Sequence, residues 1–360
     1  MSGPTVACMI TRRAAALAVL TVTAFVVVTT ELLPVGLLPQ ISGDLGISDA
    51  RAGLLVTAYA FTAALTAAPL TALVSRWPRH RVFLAMCGVF VLGTALSGLA
   101  VGFPMVAAAR LVCGAAHGVF WSIIAGYAAA LADPERPGRA AAVVFGGGST
   151  AVVLGVPLGT ALGAATGWRN AFLLVSAVAL VMLLIAWRVL PDTGSSPTQR
   201  VGDLPKVLLL PGLPSLVITT AVLVLGNFTV YTYCTDLLRD SGVADPARVS
   251  ILLSVYGLAG IGGTWLSGML VDGRPRAVLF GTVTLLVTAI AVFVFGVRWP
   301  LLVLVFFAWG FAFSAVPVSM QTGVLRVSGR SADVASAWYV AAFNLGIGGG
   351  ALAGGVLLAS

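Results

Sequence analysis

AAALAVLTVTAFVVVTTELLPVGLL, residues Ala14–Leu38, holds a single charge, Glu31. About 20 consecutive apolar residues are enough to cross a bilayer, so this stretch predicts a membrane-spanning helix. Arg12 and Arg13 precede it, as in a secretory leader. A leader's apolar region is shorter and ends at a small-residue cleavage site. The stretch therefore reads as a first helix that the protein keeps.

Ten more apolar runs follow, at about 52–74, 82–101, 104–131, 140–166, 170–190, 213–235, 249–271, 277–296, 299–323 and 334–358. Pro, Gly and charge mark the breaks, as in Arg76-Trp77-Pro78-Arg79 and Asp272-Gly273-Arg274-Pro275. Composition agrees: 59% of residues are hydrophobic, 9% are charged, and mean hydropathy is +1.06. A soluble domain of this length carries far more charge. The chain reads as an all-α, multi-pass membrane protein with the lipid bilayer as its solvent. The net charge of +8 does not point to nucleic acid, because the basic residues sit in short loops and form no patch. Four scattered cysteines, with no CxxC spacing, suggest neither disulfide nor metal. No cofactor is expected.

Basic residues give the orientation. With the N-terminus inside, fourteen fall on the cytoplasmic side (Arg12, Arg13, Arg76, Arg79, Arg81, Arg136, Arg139, Arg188, Arg200, Lys206, Arg274, Arg276, Arg326 and Arg330) and five outside. The expected location is the plasma (inner) membrane, with a cytoplasmic N-terminus and, for the chain as given, an external C-terminus.

One loop stands apart. Residues 191–212, PDTGSSPTQRVGDLPKVLLLPG, are polar and rich in Pro and Gly. They read as a cytoplasmic linker between an N-terminal six-helix half, 14–190, and a C-terminal half, 213–360, with five helices visible. The halves also echo each other. TALVSRWPRHR at 71–81 and GMLVDGRPR at 268–276 lie 197 residues apart. Weak internal symmetry between membrane halves marks transporter folds. Small residues recur every fourth position in helix 2 (Ala60, Ala64, Ala68), helix 5 (Gly155, Gly159, Gly163, Gly167), helix 8 (Gly260, Thr264, Gly268) and helix 11 (Gly346, Gly350, Gly354). Such stripes let backbones approach closely. Their symmetric use predicts a sliding seam between the halves, with Gly159 and Gly350 on it.

On these residues the chain resembles the major facilitator superfamily, in particular the twelve-helix proton-coupled drug and sugar exporters of the chloramphenicol-resistance and arabinose-efflux type. The best local matches are Thr30–Pro39 in helix 1, Arg110–Gly118 in helix 4, Gly155-Val156-Pro157-Leu158-Gly159 in helix 5, and Gly167-Trp168-Arg169 after it. The resemblance implies two pseudo-symmetric six-helix bundles around a central cavity, and the helix 5 pattern implies antiport and export. The chain departs from the family in two ways. Where the family loop has Gly and Asp, this one has Thr71 and Ser75, while Arg76, Arg79 and Arg81 remain. That removes the acidic half of the usual lock from this loop. The second copy keeps Gly268, Asp272 and Arg276. The other departure is a missing twelfth helix, so either the gene is expected to continue past Ser360 or the chain is expected to be poorly stable.

Charges inside the membrane mark cavities, ion paths or partners. Glu31 is the one acid well inside a helix, and Arg110 the one base. Both lie roughly 10–12 Å from the outer helix ends at 1.5 Å per residue, so they can pair if helices 1 and 4 are neighbours. His117 shares a helix face with Arg110, and Trp121 lies one turn beyond. Glu31 is the expected proton carrier, Arg110 the group that tunes it, and His117 an optional relay. Trp121, Asn227, Tyr231 and Asn344 are candidates for a substrate cavity. The expected activity is alternating-access export of a small drug-like or sugar-like molecule in exchange for protons, by a monomer. Uptake, uncoupled transport and a non-transporting sensor are the alternatives. Enzyme and ATP-pump readings lack their motifs: HExxH, GxSxG and Walker A are all absent from the sequence.

Overall fold

The structure, a computed structural model, describes residues 4–359 apart from Pro134, residues 195–199, Ser241, Gly242, Ala244 and Pro300. Regular structure among the described residues is entirely helical. Eleven long helices follow the eleven apolar runs: α1 (Pro4–Leu45), α2 (Asp49–Val74), α3 (Arg79–Gly98), α4 (Phe103–Leu131), α5 (Pro137–Thr166), α6 (Trp168–Val189), α7 (Leu213–Tyr231), α8 (Pro246–Leu270), α9 (Pro275–Val294), α10 (Leu301–Ser328) and α11 (Ala332–Ala359). The last two belong to one apolar stretch of 57 residues, Leu301–Leu357. One helix of that length would be about 85 Å long, against a bilayer core of about 30 Å. Gly329, at φ 49°, and the 3-10 turn Gly329–Ser331 divide it in two.

Proline lies inside four of the long helices: Pro34 and Pro39 in α1, Pro69 in α2, Pro157 in α5 and Pro317 in α10. The sequence reading ends the first helix at Leu38, before Pro39, but α1 continues through Pro34 and Pro39 to Leu45. A proline removes one backbone hydrogen bond, and membrane helices tolerate this where a neighbour satisfies the freed carbonyl. In α5, the turn Ala151–Gly155 is π-wound, directly before Pro157. Pro157 has no N–H for the carbonyl of Val153, and a wider turn absorbs that loss. The seventh helix ends four residues earlier than expected, and a short helix, Cys234–Asp240, follows it.

The glycine stripes correct another expectation. Gly159 and Gly350 do not lie on a seam between the first six helices and the last five. Gly155, Gly159 and Gly163 receive Thr29, Leu33 and Leu37 of α1. Gly350 and Gly354 lie against the main chain of α7, at Leu225 and Thr229. A spacing of four fixes which face of a helix is flat; it does not say which neighbour uses that face. The two sets of helices meet through α2 with α11 and α5 with α8. Gly268 packs on Ala142, Gly348 on Phe61, and Ser149 Oγ lies 3.2 Å from Thr264 Oγ1.

A methyl at Gly159 would stand 2.5 Å from Leu33 Cδ1, the movable end of a side chain. A methyl at Gly350 would strike backbone, including Thr229 N at 3.0 Å. Gly350→Ala should therefore cost about 1–3 kcal/mol, the usual range for overpacking, and Gly159→Ala less. Thermal unfolding in detergent checks this: Gly350→Ala should melt below Gly159→Ala.

Candidate functional site

Pro34 sets the site. It has no N–H to give to the carbonyl of Thr30, four residues back. Arg110 of α4, only 1% exposed, takes up that carbonyl. Its Nη1 donates to Thr30 O at 2.9 Å and its Nη2 to Glu31 O at 2.6 Å. The guanidinium also lies 4.2 Å from the centre of the Tyr59 ring on α2, a cation–π contact. Glu31 and Arg110 are thus neighbours, as the sequence suggests, but the arginine meets the main chain of α1. α1 runs seven residues past its expected end at Leu38, yet the contacts of Arg110 with the Thr30 and Glu31 carbonyls put the two residues at one level of the bundle.

The Glu31 carboxylate faces a histidine. Its Oε2 is 3.8 Å from His117 Nδ1, with the carboxylate side chain 18% exposed. The same Nδ1 is 3.0 Å from the Tyr59 hydroxyl. Gly114 allows this approach, because a methyl there would stand 2.7 Å from the carbonyl of Tyr59. One turn beyond His117, Trp121 stacks on Phe145 of α5 with centroids 5.3 Å apart. Trp121 also packs against the apolar clusters of both sets of helices. Arg110, His117 and Trp121 share one face of α4, as their spacing predicts. Tyr59 escaped the sequence reading, since nothing in an apolar α2 marks which aromatic meets α4.

The candidates on later helices sit elsewhere. Asn227 is buried and accepts a hydrogen bond from Trp309 Nε1 at 2.8 Å. Tyr231 packs on Tyr256, with centroids 4.9 Å apart, and on Trp309. Asn344 is buried and donates to the Val340 carbonyl of its own helix. No hydrogen bond or ring contact among the described residues joins these three to Glu31.

The end of the bundle that carries most of the arginines is shut by two clasps. Arg79 forks onto Asp333, at 3.0 Å from Nε to Oδ2 and 3.0 Å from Nη2 to Oδ1. Asp333 lies in the first turn of α11, where the helix dipole favours an acid. Across the bundle, Asp272 accepts from the N–H groups of Gly138 and Arg139, at 2.9 and 3.0 Å, at the start of α5. Arg326 Nη2 adds a contact at 3.3 Å. The clasps have opposite polarity: one loop offers the base and the other the acid. Ser75 costs the first loop its carboxylate, and Asp333 supplies one from the facing helix. Arg76, Arg81 and Arg276 are exposed at this end.

The linker belongs to the same closure. Its start is held by Tyr127, whose hydroxyl donates to Pro191 O at 2.5 Å, and by Arg79 N, which donates to Gly194 O at 3.1 Å. Its short helix Leu204–Leu208 buries Leu204 and Val207 in one cluster with Ala68 of α2 and Val334 of α11. Trp338 Nε1 donates to Leu204 O. On the exposed side, the hydrogen bond from Lys206 and the neighbouring Arg200 hold the Asp203 carboxyl below the usual carboxylate range. At the opposite end of the bundle, Trp168 and Arg169 both bond Asp44 of α1, and Arg169 Nη2 also holds Ala100 O at 3.1 Å.

The sequence model of the Major Facilitator Superfamily matches residues 20–351. A probable sugar efflux transporter of Helicobacter pylori (strain P12) is 31% identical over 342 residues, covering 94% of this chain and 87% of the relative. A chloramphenicol efflux pump of Mycobacterium tuberculosis (strain H37Rv) is 34% identical over 357 residues, covering 96% of this chain and 86% of the relative. Among solved structures, the crystal structure of a human organic anion transporter superposes with a TM-score of 0.76 at 20% identity, covering 97% of this chain and 94% of that one.

The Arg79–Asp333 pair is nearly buried, with side chains 17% and 5% exposed. Arg79→Asp would set two carboxylates face to face. Breaking a buried pair typically costs about 3–5 kcal/mol, enough to part α2 from α11 at this end. Spin labels at Trp77 and Arg330 should move apart in Arg79→Asp and return to the native distance in the exchanged pair Arg79→Asp/Asp333→Arg.

Proposed function

The chain belongs to the major facilitator superfamily, and from that premise we propose that it exports a small sugar-like or drug-like molecule in exchange for protons. The family carries small molecules across membranes, and two relatives are named for sugar efflux and chloramphenicol efflux. The observation that carries the coupling is the placement of Glu31: an intramembrane carboxylate, partly exposed, beside a buried arginine and a histidine. Ionisable groups inside a membrane are functional by default.

The proposed cycle uses two units, 14–190 and 213–360, rocking about the linker 191–212 in the inner membrane, with the N-terminus in the cytoplasm. With the basic end clasped shut, Glu31 faces the opposite side and takes a proton there. Opening the clasps turns the site toward the cytoplasm. A carboxyl changes its proton affinity as its surroundings dry or as a cation approaches. Substrate entry supplies that change, so substrate and proton replace one another. Arg110 fixes the backbone of α1 at Glu31 and contributes the local positive charge. Trp121 forms part of the floor beneath the site, and Asn227, Tyr231 and Asn344 shape the wall on the other unit.

Glu31→Gln keeps the shape of the protonated carboxyl but cannot give up a proton. Adding substrate to the purified wild-type protein in detergent should release protons, and Glu31→Gln should release none. Export driven by a pH gradient in vesicles should be lost in the same variant. Equal proton release from both proteins would remove Glu31 from the mechanism.

A further inference from the structure

His117 Nδ1 has two partners and one bonding position. Tyr59 Oη, on α2, stands 3.0 Å away. Glu31 Oε2, on α1, stands 3.8 Å away. A ring nitrogen either carries a hydrogen and donates, or carries a lone pair and accepts. An ionised carboxylate can only accept, and it is a stronger acceptor than a phenol. Facing it, Nδ1 should hold the hydrogen. A protonated Glu31 no longer demands that hydrogen. Nδ1 then keeps its lone pair and the Tyr59 hydroxyl donates to it, the pairing whose distance the structure shows.

We propose that His117 Nδ1 is a two-position contact that reports the protonation of Glu31 to α2 through Tyr59. This rests on the reading of Glu31 as the proton carrier. With Glu31 protonated, Tyr59 binds His117 and ties α2 to α4. With Glu31 ionised, Nδ1–H turns to the carboxylate, ties α4 to α1, and frees the tyrosine. The imidazole hydrogen moves from Nε2 to Nδ1 between the two states, so the ring stays neutral and no net proton is consumed by it. α2 matters because it packs on α11 and leads through the short turn 75–78 to Arg79 at the start of α3. Tyr59 is thus a positioning residue, linking the charge state of α1 to the clasp at the basic end.

Among the described residues, no third titratable side chain contacts Nδ1. Arg110, on the same helix, spends its terminal nitrogens on the α1 carbonyls. Cys113 is buried on the same helix. Of the other helices packed on α4, α3 brings the buried thiol of Cys87 and, in its first turn, Arg79, His80 and Arg81, while α11 brings Asp333, bound by Arg79, and the buried Tyr339. The described titratable group of α5 is Arg139, at its basic end.

The chain has two histidines, His80 and His117, which suits nitrogen NMR. The full-length protein, labelled with 15N-histidine and held in nanodiscs, is titrated with pH, and the His117 signals are assigned by their loss in His117→Gln. Nδ1 should pass from the lone-pair form to the protonated form as Glu31 ionises, while Nε2 moves the opposite way. Glu31→Gln should hold Nδ1 in the lone-pair form throughout. Tyr59→Phe should still release protons on adding a transported substrate, yet lose most pH-driven export in vesicles. A merely structural tyrosine would lower both together. The inference is overturned if Nδ1 stays in one form while wild-type Glu31 titrates, if both nitrogens protonate together, or if Tyr59→Phe exports normally. Equal proton release from wild type and Glu31→Gln would instead bring down the underlying reading.

Discussion

Inside a bilayer no water is present to satisfy a free carbonyl, and an unpaired one costs several kcal/mol. Pro34 leaves the carbonyl of Thr30 in that position, and Arg110 answers it from a different helix. Neither residue is tolerable alone: the proline opens a gap in the α1 ladder, and the arginine is a charge in hydrocarbon. Together they lock α1 to α4, and the remaining geometry follows from that contact. Glu31 is held through its own carbonyl, which accepts from the second terminal nitrogen of Arg110, Tyr59 lies beneath the guanidinium, and His117 arrives two turns further along α4.

Electrostatics at the site therefore differ from those of a simple ion pair. A pair would hold Glu31 in one charge state. Here the guanidinium is spent on main-chain oxygens and an aromatic face, which leaves the carboxylate close to a cation but not clamped by it. Such an arrangement suits the proton exchange proposed for Glu31.

The fold was legible because its constraint is one-dimensional. Apolar run length alone fixes eleven helices, and the basic loops mark one end of the bundle. Contacts were harder to read. The glycine stripes show a flat face on α5 and α11, yet the partners, α1 and α7, depend on how the helices are arranged. Ser75 abolishes a clasp when only its own loop is considered, while the acid stands 258 residues later, at Asp333. Tyr59 carries no signal until α2 is laid against α4. Glu31, Arg110 and His117 were readable because charge is rare in this sequence.

The short helix Leu204–Leu208 bears on how this end of the bundle can open. Leu204 and Val207 fill the crease between α2 and α11, and each buried aliphatic side chain is worth about 1.5–3 kcal/mol against water. A passage that opens this crease must lift them out or carry them along with one wall. Closure of this end therefore rests partly on five residues outside every membrane helix, a short apolar wedge against α2 and α11.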